Sequence, residues 1–158
     1  MRERMTREGM VLGPTFAEMR DPTLIPPEVR AEAEVARLEP LDAMNIWNIS
    51  WRAEGDVPHT VLPEALTGVW APIVVLSGRG FPTGSHKVAA AYSILIERQV
   101  EGACVPGRDR LVFPSTGNFG IGGAWVGPRM GYESVVVMPE EMSDERFRKI
   151  EELSLIHI

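Results

Sequence analysis

This 158-residue sequence has little cysteine, no excess of basic charge and no long apolar run. Its single cysteine, Cys104, excludes an intramolecular disulfide and is typical of a reducing compartment, so we expect a cytoplasmic protein. The net charge of −6 argues against nucleic acid or an anionic membrane surface as a partner, because both attract basic proteins. No apolar run reaches the length of a transmembrane helix, about 20 residues.

Clusters of metal-ligating residues are also missing from the sequence. His59 has no second histidine or cysteine at ligand spacing, so we expect no metal site. Cys104 lies in a turn between an expected helix and an expected strand, where a structural thiol is favoured over a nucleophile. The length and the 44% of hydrophobic residues suffice for one globular domain.

The most informative residue that is present is Lys87, which ends the run Phe81-Pro82-Thr83-Gly84-Ser85-His86-Lys87. This run connects a short apolar strand, Ile73 to Leu76, to an alanine-rich helix, Val88 to Arg98. The positive end of a helix dipole and partial burial both lower the pKa of a lysine, towards the neutral amine that attacks carbonyls. The pattern therefore indicates a Schiff-base lysine, and a surface lysine near a helix start is the alternative.

A glycine-rich loop lies about thirty residues downstream, and it also follows an apolar run and opens a helix. Its sequence is Phe113-Pro114-Ser115-Thr116-Gly117-Asn118-Phe119-Gly120-Ile121-Gly122-Gly123-Ala124. Hydroxyls, an amide and free backbone N–H groups at a helix start can hold an anion such as a carboxylate or a phosphate. An ordinary strand-to-helix turn with a Ser/Thr cap explains this loop equally well when it is taken alone.

Together the two motifs resemble the cysteine synthase branch of the fold-type-II pyridoxal-phosphate enzymes. The family patterns are Pro-Thr-Gly-Ser-x-Lys and Thr-Ser-Gly-Asn-Thr-Gly-Ile, to which residues 82–87 and 115–121 correspond. Arg129 to Tyr132 and Val135 to Arg146 are similar to further family stretches, so the resemblance covers about half of the chain, roughly Pro72 to Leu153. His86 before the lysine is also found in tryptophan synthase β subunits.

The resemblance implies a role for each matching residue. Lys87 would form the Schiff base with pyridoxal 5'-phosphate and move the substrate α-proton, and Asn118 would bond the ring hydroxyl oxygen of the cofactor. The substrate-binding loop that grips the α-carboxylate would consist of Ser115, Thr116, Gly117, Asn118 and Phe119. The implied reaction is β-elimination or β-replacement on a small amino acid, O-acetylserine or similar, with sulfide or a thiol as nucleophile. A homodimer is implied for the full-length protein.

Two departures from the family pattern concern the substrate. The loop reads Ser115-Thr116 where the family has Thr-Ser, which keeps both hydroxyls. Phe119 replaces a threonine, so a side-chain donor is lost and bulk is added. We expect Phe119 to affect which amino acid is accepted.

The expected fold is α/β, the open parallel-sheet three-layer architecture of fold-type-II enzymes, in truncated form. We divide the chain into an N-terminal extension at 1–66, a partial catalytic domain at 67–153 and a non-native tail at 154–158. The extension contains a predicted helix, Glu28 to Leu38, and wraps a partner surface or covers the active-site side. Later strands are expected at Arg110 to Phe113 and Ser134 to Met138.

The end of the sequence is unusual for this resemblance. Members of the family continue for well over a hundred residues, whereas Leu153 to Ile158 look like the translation of an adapter used in sequencing libraries. We therefore expect an N-terminal fragment that is inactive by itself, and a natural short tail is the alternative.

Two other functions fit parts of the sequence. Gly120-Ile121-Gly122, with Glu140 about twenty residues on, loosely matches a dinucleotide fingerprint, but Trp125 occupies the third glycine position. A subunit of a two-protein enzyme, or a non-catalytic partner that keeps the fold, is the other alternative. The dinucleotide site leaves Lys87 and its motif unexplained, whereas the N-terminal extension leaves room for a subunit role.

Overall fold

A computed structural model describes residues 13–53 and 55–153. The tail predicted at 154–158 and residues 1–12 of the predicted extension lie outside the described residues. Within the described ranges, no helix has the length and apolar character needed to cross a membrane.

The N-terminal segment, residues 13–53, is built from short helices. They are α1 (Phe16–Arg20), a 3-10 turn (Pro22–Leu24), α2 (Pro27–Ala36) and a 3-10 helix (Ala43–Asn48). The predicted helix at 28–38 is confirmed as α2, which starts at Pro27 because proline suits the first position of a helix. The 3-10 helix is tied to α2 by Asn45 and Asn48, whose side-chain amides donate to the carbonyls of Ala36 and Ala33 at 2.7 and 2.5 Å.

A hairpin-like pair of strands follows. β1 (His59–Leu62) runs antiparallel to β2 (Ile73–Leu76), with α3 (Glu64–Thr67) between them. All four residues of β2 are exposed. The strand predicted at Ile73 to Leu76 is therefore present, but it pairs with the nearby β1 and lies outside the parallel sheet.

The strand–helix alternation predicted for the rest of the chain is confirmed. The elements are α4 (Lys87–Glu101), β3 (Arg110–Pro114), α5 (Asn118–Arg129), β4 (Glu133–Val137) and α6 (Asp144–Leu153). β3 and β4 are parallel, with Arg110 opposite Glu133 in an ion pair of 2.7 Å and Pro114 opposite Val137. The α/β class is thus confirmed, and α5 is the crossover helix between the two parallel strands.

The main core joins the N-terminal segment to α4 and α5. Buried side chains from both parts form one cluster, which includes Ile25, Ile46, Trp47 and Ile49 together with Val88, Tyr92, Leu95, Trp125 and Met130. Polar contacts support it, since Tyr92 donates to the Pro14 carbonyl at 2.7 Å and Trp125 Nε1 to the Pro40 carbonyl at 2.9 Å. Residues 13–53 of the predicted extension therefore pack on helices of the same chain. The domain division at residue 66 stays a prediction.

Candidate active site

The lysine turn, residues 81–87, positions Lys87 at the first residue of α4. Gly84 has φ +71°, a conformation that favours glycine, and its N–H donates to the Phe81 carbonyl at 2.7 Å. The Lys87 N–H donates to Ser85 Oγ at 3.3 Å, so the serine caps the start of the helix. The sequence predicted partial burial of Lys87, and this is wrong: Lys87 is exposed, because no described element packs over it.

The anion loop, residues 115–119, leads from β3 into α5. Ser115 Oγ accepts hydrogen bonds from the N–H groups of Gly117 and Gly120, at 3.3 and 3.1 Å. Because the oxygen accepts twice, the hydroxyl proton stays available for a ligand. The N–H groups of Asn118 and Phe119, at the first two positions of α5, have no carbonyl within the helix to bond. The loop therefore collects donors at the positive end of a helix.

Thr116 and Phe119 have different surroundings. Thr116 is exposed, and its carbonyl accepts a hydrogen bond from Arg146 of α6. The half-buried ring of Phe119 packs edge-on against Phe113 of β3, with ring centroids 5.8 Å apart and an interplanar angle of 70°. The Phe119 ring therefore stabilises the loop by packing, whereas its N–H lies at the helix end.

The two motifs meet where α4 packs on α5. A Cβ atom at Gly122 would come within 2.8 Å of the Lys87 carbonyl oxygen and 3.0 Å of Val88 Cα, so only glycine permits this approach. Asn118 lies four residues before Gly122 on the same face of α5, about 6 Å along the helix axis. The amide predicted to bind the cofactor ring is thus on the side of α5 that faces the start of the Lys87 helix.

Three contacts of the site were missed by sequence reasoning. Gly122 was interpreted as part of the glycine-rich loop, although it is a helical residue that lets Lys87 approach. Arg146 ends the family-like stretch from Val135, but nothing in the sequence shows that it reaches Thr116. Trp51 stacks on His86 with ring centroids 5.4 Å apart, and no local signal in the sequence indicates this contact.

These residues suit an aldehyde cofactor and an amino-acid substrate. Lys87 offers an exposed primary amine for the aldehyde, and Asn118 offers a carboxamide for a ring hydroxyl. The start of α5 offers N–H groups and the Ser115 hydroxyl for a carboxylate. The chemistry of the donor set therefore fits the aldehyde and ring hydroxyl of pyridoxal phosphate and the carboxylate of the substrate.

Comparison with known proteins gives the class. The chain belongs to the family of pyridoxal-phosphate dependent enzymes, whose model matches residues 74–154, just over half of the chain. Cystathionine beta-synthase of Saccharomyces cerevisiae is 38% identical over 85 residues, which cover 54% of this chain and 17% of that protein. A probable cysteine synthase of Bacillus subtilis is 39% identical over 96 residues, or 58% of this chain and 29% of that protein.

A solved structure supports the same fold. The crystal structure of O-ureido-L-serine synthase matches with a TM-score of 0.52 and 30% sequence identity, over 61% of this chain and 30% of that one. The predictions of a fold-type-II family, of an enzyme class and of pyridoxal phosphate as cofactor are confirmed at the level of the family. The chain spans less than a third of each of these relatives.

Proposed function

We propose that the protein catalyses β-replacement on a small amino acid, O-acetylserine or similar, with sulfide or a thiol as the entering group. The observation that carries this proposal is the contact of Gly122 with Lys87, with Asn118 on the same face of α5. The relatives are named as synthases of cysteine, cystathionine and O-ureido-L-serine, amino acids that carry a substituent at Cβ. Their names support a reaction at Cβ.

Pyridoxal phosphate supplies, when bound, an electron sink for the negative charge that develops at the substrate Cα. Lys87 would hold the aldehyde carbon of the cofactor through its amine and, once released, would take and return the α-proton. Asn118 would orient the cofactor ring by a hydrogen bond from its side-chain amide to the ring hydroxyl oxygen. The hydroxyls of Ser115 and Thr116 and the first N–H groups of α5 would bind the α-carboxylate, which orients the Cα–H bond towards Lys87.

The proposal extends to the whole protein. Residues 67–153 would belong to the cofactor-binding domain and residues 1–66 to an extension, in a cytoplasmic homodimer. The contacts of residues 13–53 with α4 and α5 indicate that the extension supports the catalytic part. The single cysteine supports a reducing compartment.

The first prediction tests Lys87 against an internal control. The sequence has two lysines, Lys87 and Lys149, and both are exposed in the structure. Reduction of the cofactor-loaded full-length protein with borohydride, followed by peptide mapping, should place the cofactor on Lys87 and leave Lys149 unmodified. Lys87→Ala should abolish the adduct and lower turnover by at least about 10²–10⁴-fold, because it removes both the covalent anchor and the proton carrier.

Lys149→Ala is the matched control and should keep both the adduct and the turnover. An unmodified Lys87 in the parent protein would contradict the proposal and favour a silent subunit or another ligand. Substantial turnover in Lys87→Ala would contradict the catalytic role of this residue even if the cofactor adduct forms on Lys87 in the parent protein.

A further inference from the structure

Trp51 connects the N-terminal segment to both ends of the lysine turn. Its ring lies edge-on to Phe81, with centroids 5.0 Å apart and an interplanar angle of 87°. The same ring stacks on His86, with centroids 5.4 Å apart and an angle of 25°. Phe81 opens the turn, and His86 is the last residue before Lys87. One indole ring therefore bridges the beginning and the end of the turn.

The backbone that carries Trp51 is fixed on its N-terminal side. Ser50 Oγ donates to the Met19 carbonyl at 2.5 Å and accepts from the Arg52 N–H at 3.1 Å. Ile49 is completely buried in the main core. The backbone at Trp51 is therefore anchored by its neighbours Ile49, Ser50 and Arg52, and this anchoring limits how far the indole ring can move from the turn.

The lysine turn needs such a support on its C-terminal side. Gly84 adopts a positive φ, and glycine has more freedom than other residues to leave such a conformation. His86 is the N-cap residue of α4, yet its side chain makes no capping hydrogen bond. Phe81 is buried, whereas His86 is exposed on the surface. Ser85 and Val88, on either side of this end, are buried, and the stacking on Trp51 joins the exposed His86 side chain to the N-terminal segment.

We propose that Trp51 is a positioning residue for Lys87, which acts by stacking on His86 and packing against Phe81. The expected effect on cofactor binding rests on the proposed function, since a displaced turn would misplace the Lys87 amine relative to Asn118. It assigns the N-terminal segment a part in the cofactor site, although all the residues carried over from the family motifs lie after residue 80. The order of the turn itself is measurable without any cofactor.

The test compares Trp51→Leu with Trp51→Phe and Trp70→Leu in the full-length protein. Leucine keeps apolar bulk but removes the aromatic contacts, and phenylalanine restores an aromatic ring. Trp70 is 87% exposed and makes no aromatic contact in the described structure, so Trp70→Leu is the matched control. The first readout is amide hydrogen exchange of residues 81–88 without cofactor. The second is the pyridoxal phosphate concentration that gives half-maximal borohydride-trapped label on Lys87.

We expect Trp51→Leu to speed exchange of residues 81–88 about tenfold, while exchange in α5 stays as in the parent. The half-maximal cofactor concentration should rise several-fold, Trp51→Phe should recover most of both effects, and Trp70→Leu should change neither. Adding the substitution His86→Ala to the Trp51→Leu protein should speed hydrogen exchange of residues 81–88 little further, because the stacking contact is already lost.

Unchanged exchange of residues 81–88 in Trp51→Leu would overturn the inference, as would an equal effect of Trp70→Leu. If Trp51→Leu speeds hydrogen exchange throughout α5 as well, the milder variants Trp51→Phe and His86→Ala decide. Hydrogen exchange of residues 81–88 in His86→Ala that stays as slow as in the parent overturns the proposal. Faster hydrogen exchange confined to these residues supports it. Failure of the proposed function is separate, since it appears as absence of label on Lys87 in the parent protein.

Discussion

Ser115 and Thr116 are adjacent hydroxyl residues with different structural positions. The oxygen of Ser115 accepts from the N–H groups of Gly117, the N-cap residue of α5, and of Gly120 within α5, so this side chain holds the loop in shape. Thr116 is exposed, and within residues 13–53 and 55–153 only its carbonyl is bonded, by Arg146. The side chain of Thr116 is therefore the one that can be changed without loosening the start of α5.

Thr116→Ala should weaken amino-acid binding and leave bound cofactor in place. Loss of a hydrogen bond to a charged carboxylate costs about 1.5–3 kcal/mol, which is about 10- to 150-fold in affinity. Substrate titration and cofactor absorbance of the same protein measure the two effects. Ser115→Ala is the comparison, because it should also loosen the loop; a Thr116→Ala protein that loses cofactor and substrate equally would contradict this division.

Phe119→Thr tests the departure from the family pattern. The change restores a hydroxyl but removes the edge-on contact with Phe113. We expect a shift in which β-substituted amino acid is accepted, together with a loss of stability of about 1 kcal/mol or more from the missing ring contact. The ratio of kcat/KM for two substrates of different size measures specificity. An unchanged ratio would show that Phe119 contributes packing alone.

At the scale of elements, short-range signals predicted most of the catalytic part. β3, β4 and α4 begin and end within a few residues of the predicted limits, because glycines, prolines and apolar runs mark them locally. The pairing of β2 was not predictable in this way. It depends on β1, whose residues His59–Leu62 have no distinct strand pattern and find their partner only after the chain turns.

Tyr132, between α5 and β4, provides a pH test of how these elements pack. It is buried, and burial raises the pKa of its hydroxyl to about 12. The unfolded chain ionises this group near its ordinary pKa, about 10, so its contribution to stability is complete below pH 10 and is lost as pH rises towards 12. Burial lowers the pKa of Arg129 to about 10, which acts in the opposite direction over the same range.

A comparison of the parent with Tyr132→Phe isolates the tyrosine, because Arg129 is common to both proteins. Chemical unfolding at pH 8 and pH 11 should show that the parent loses stability relative to the variant at the higher pH. If the difference in unfolding free energy between the two proteins is the same at both pH values, Tyr132 ionises as readily in the folded state as in the unfolded chain.

The whole molecule shows why the N-terminal segment was the hardest part to interpret. Its placement depends on distant contacts, such as the Arg129 guanidinium donating to the Leu41 carbonyl at 2.8 Å and Trp125 donating to the Pro40 carbonyl. Every residue has a backbone carbonyl, so the residue types do not show that those of Pro40 and Leu41 accept these hydrogen bonds. The candidate site, by contrast, was predicted from two motifs whose residues are contiguous. The fold was needed for the contact of the motifs through Gly122 and for the contacts that Arg146 and Trp51 make with them.

The exposed hairpin leads to a prediction about the 158-residue chain expressed by itself. Val61, Ile73, Val74, Val75 and Leu76 are all between 38% and 52% exposed, and Trp70 beside them is 87% exposed. Apolar strands with free edges favour pairing between molecules. We expect this chain to self-associate or to stay partly folded, and to retain no cofactor through gel filtration.

Light scattering after gel filtration, over a range of concentrations, measures this association. Replacing Val74 and Leu76 by lysine should shift the chain towards monomer, because charges on exposed strand positions oppose edge-to-edge pairing. Val35→Lys is the matched control: Val35 is 70% exposed on α2 and is not part of the hairpin, so this change should leave association as it is. A parent chain that elutes as a monomer at every concentration, with cofactor bound, would show that the hairpin needs no covering surface.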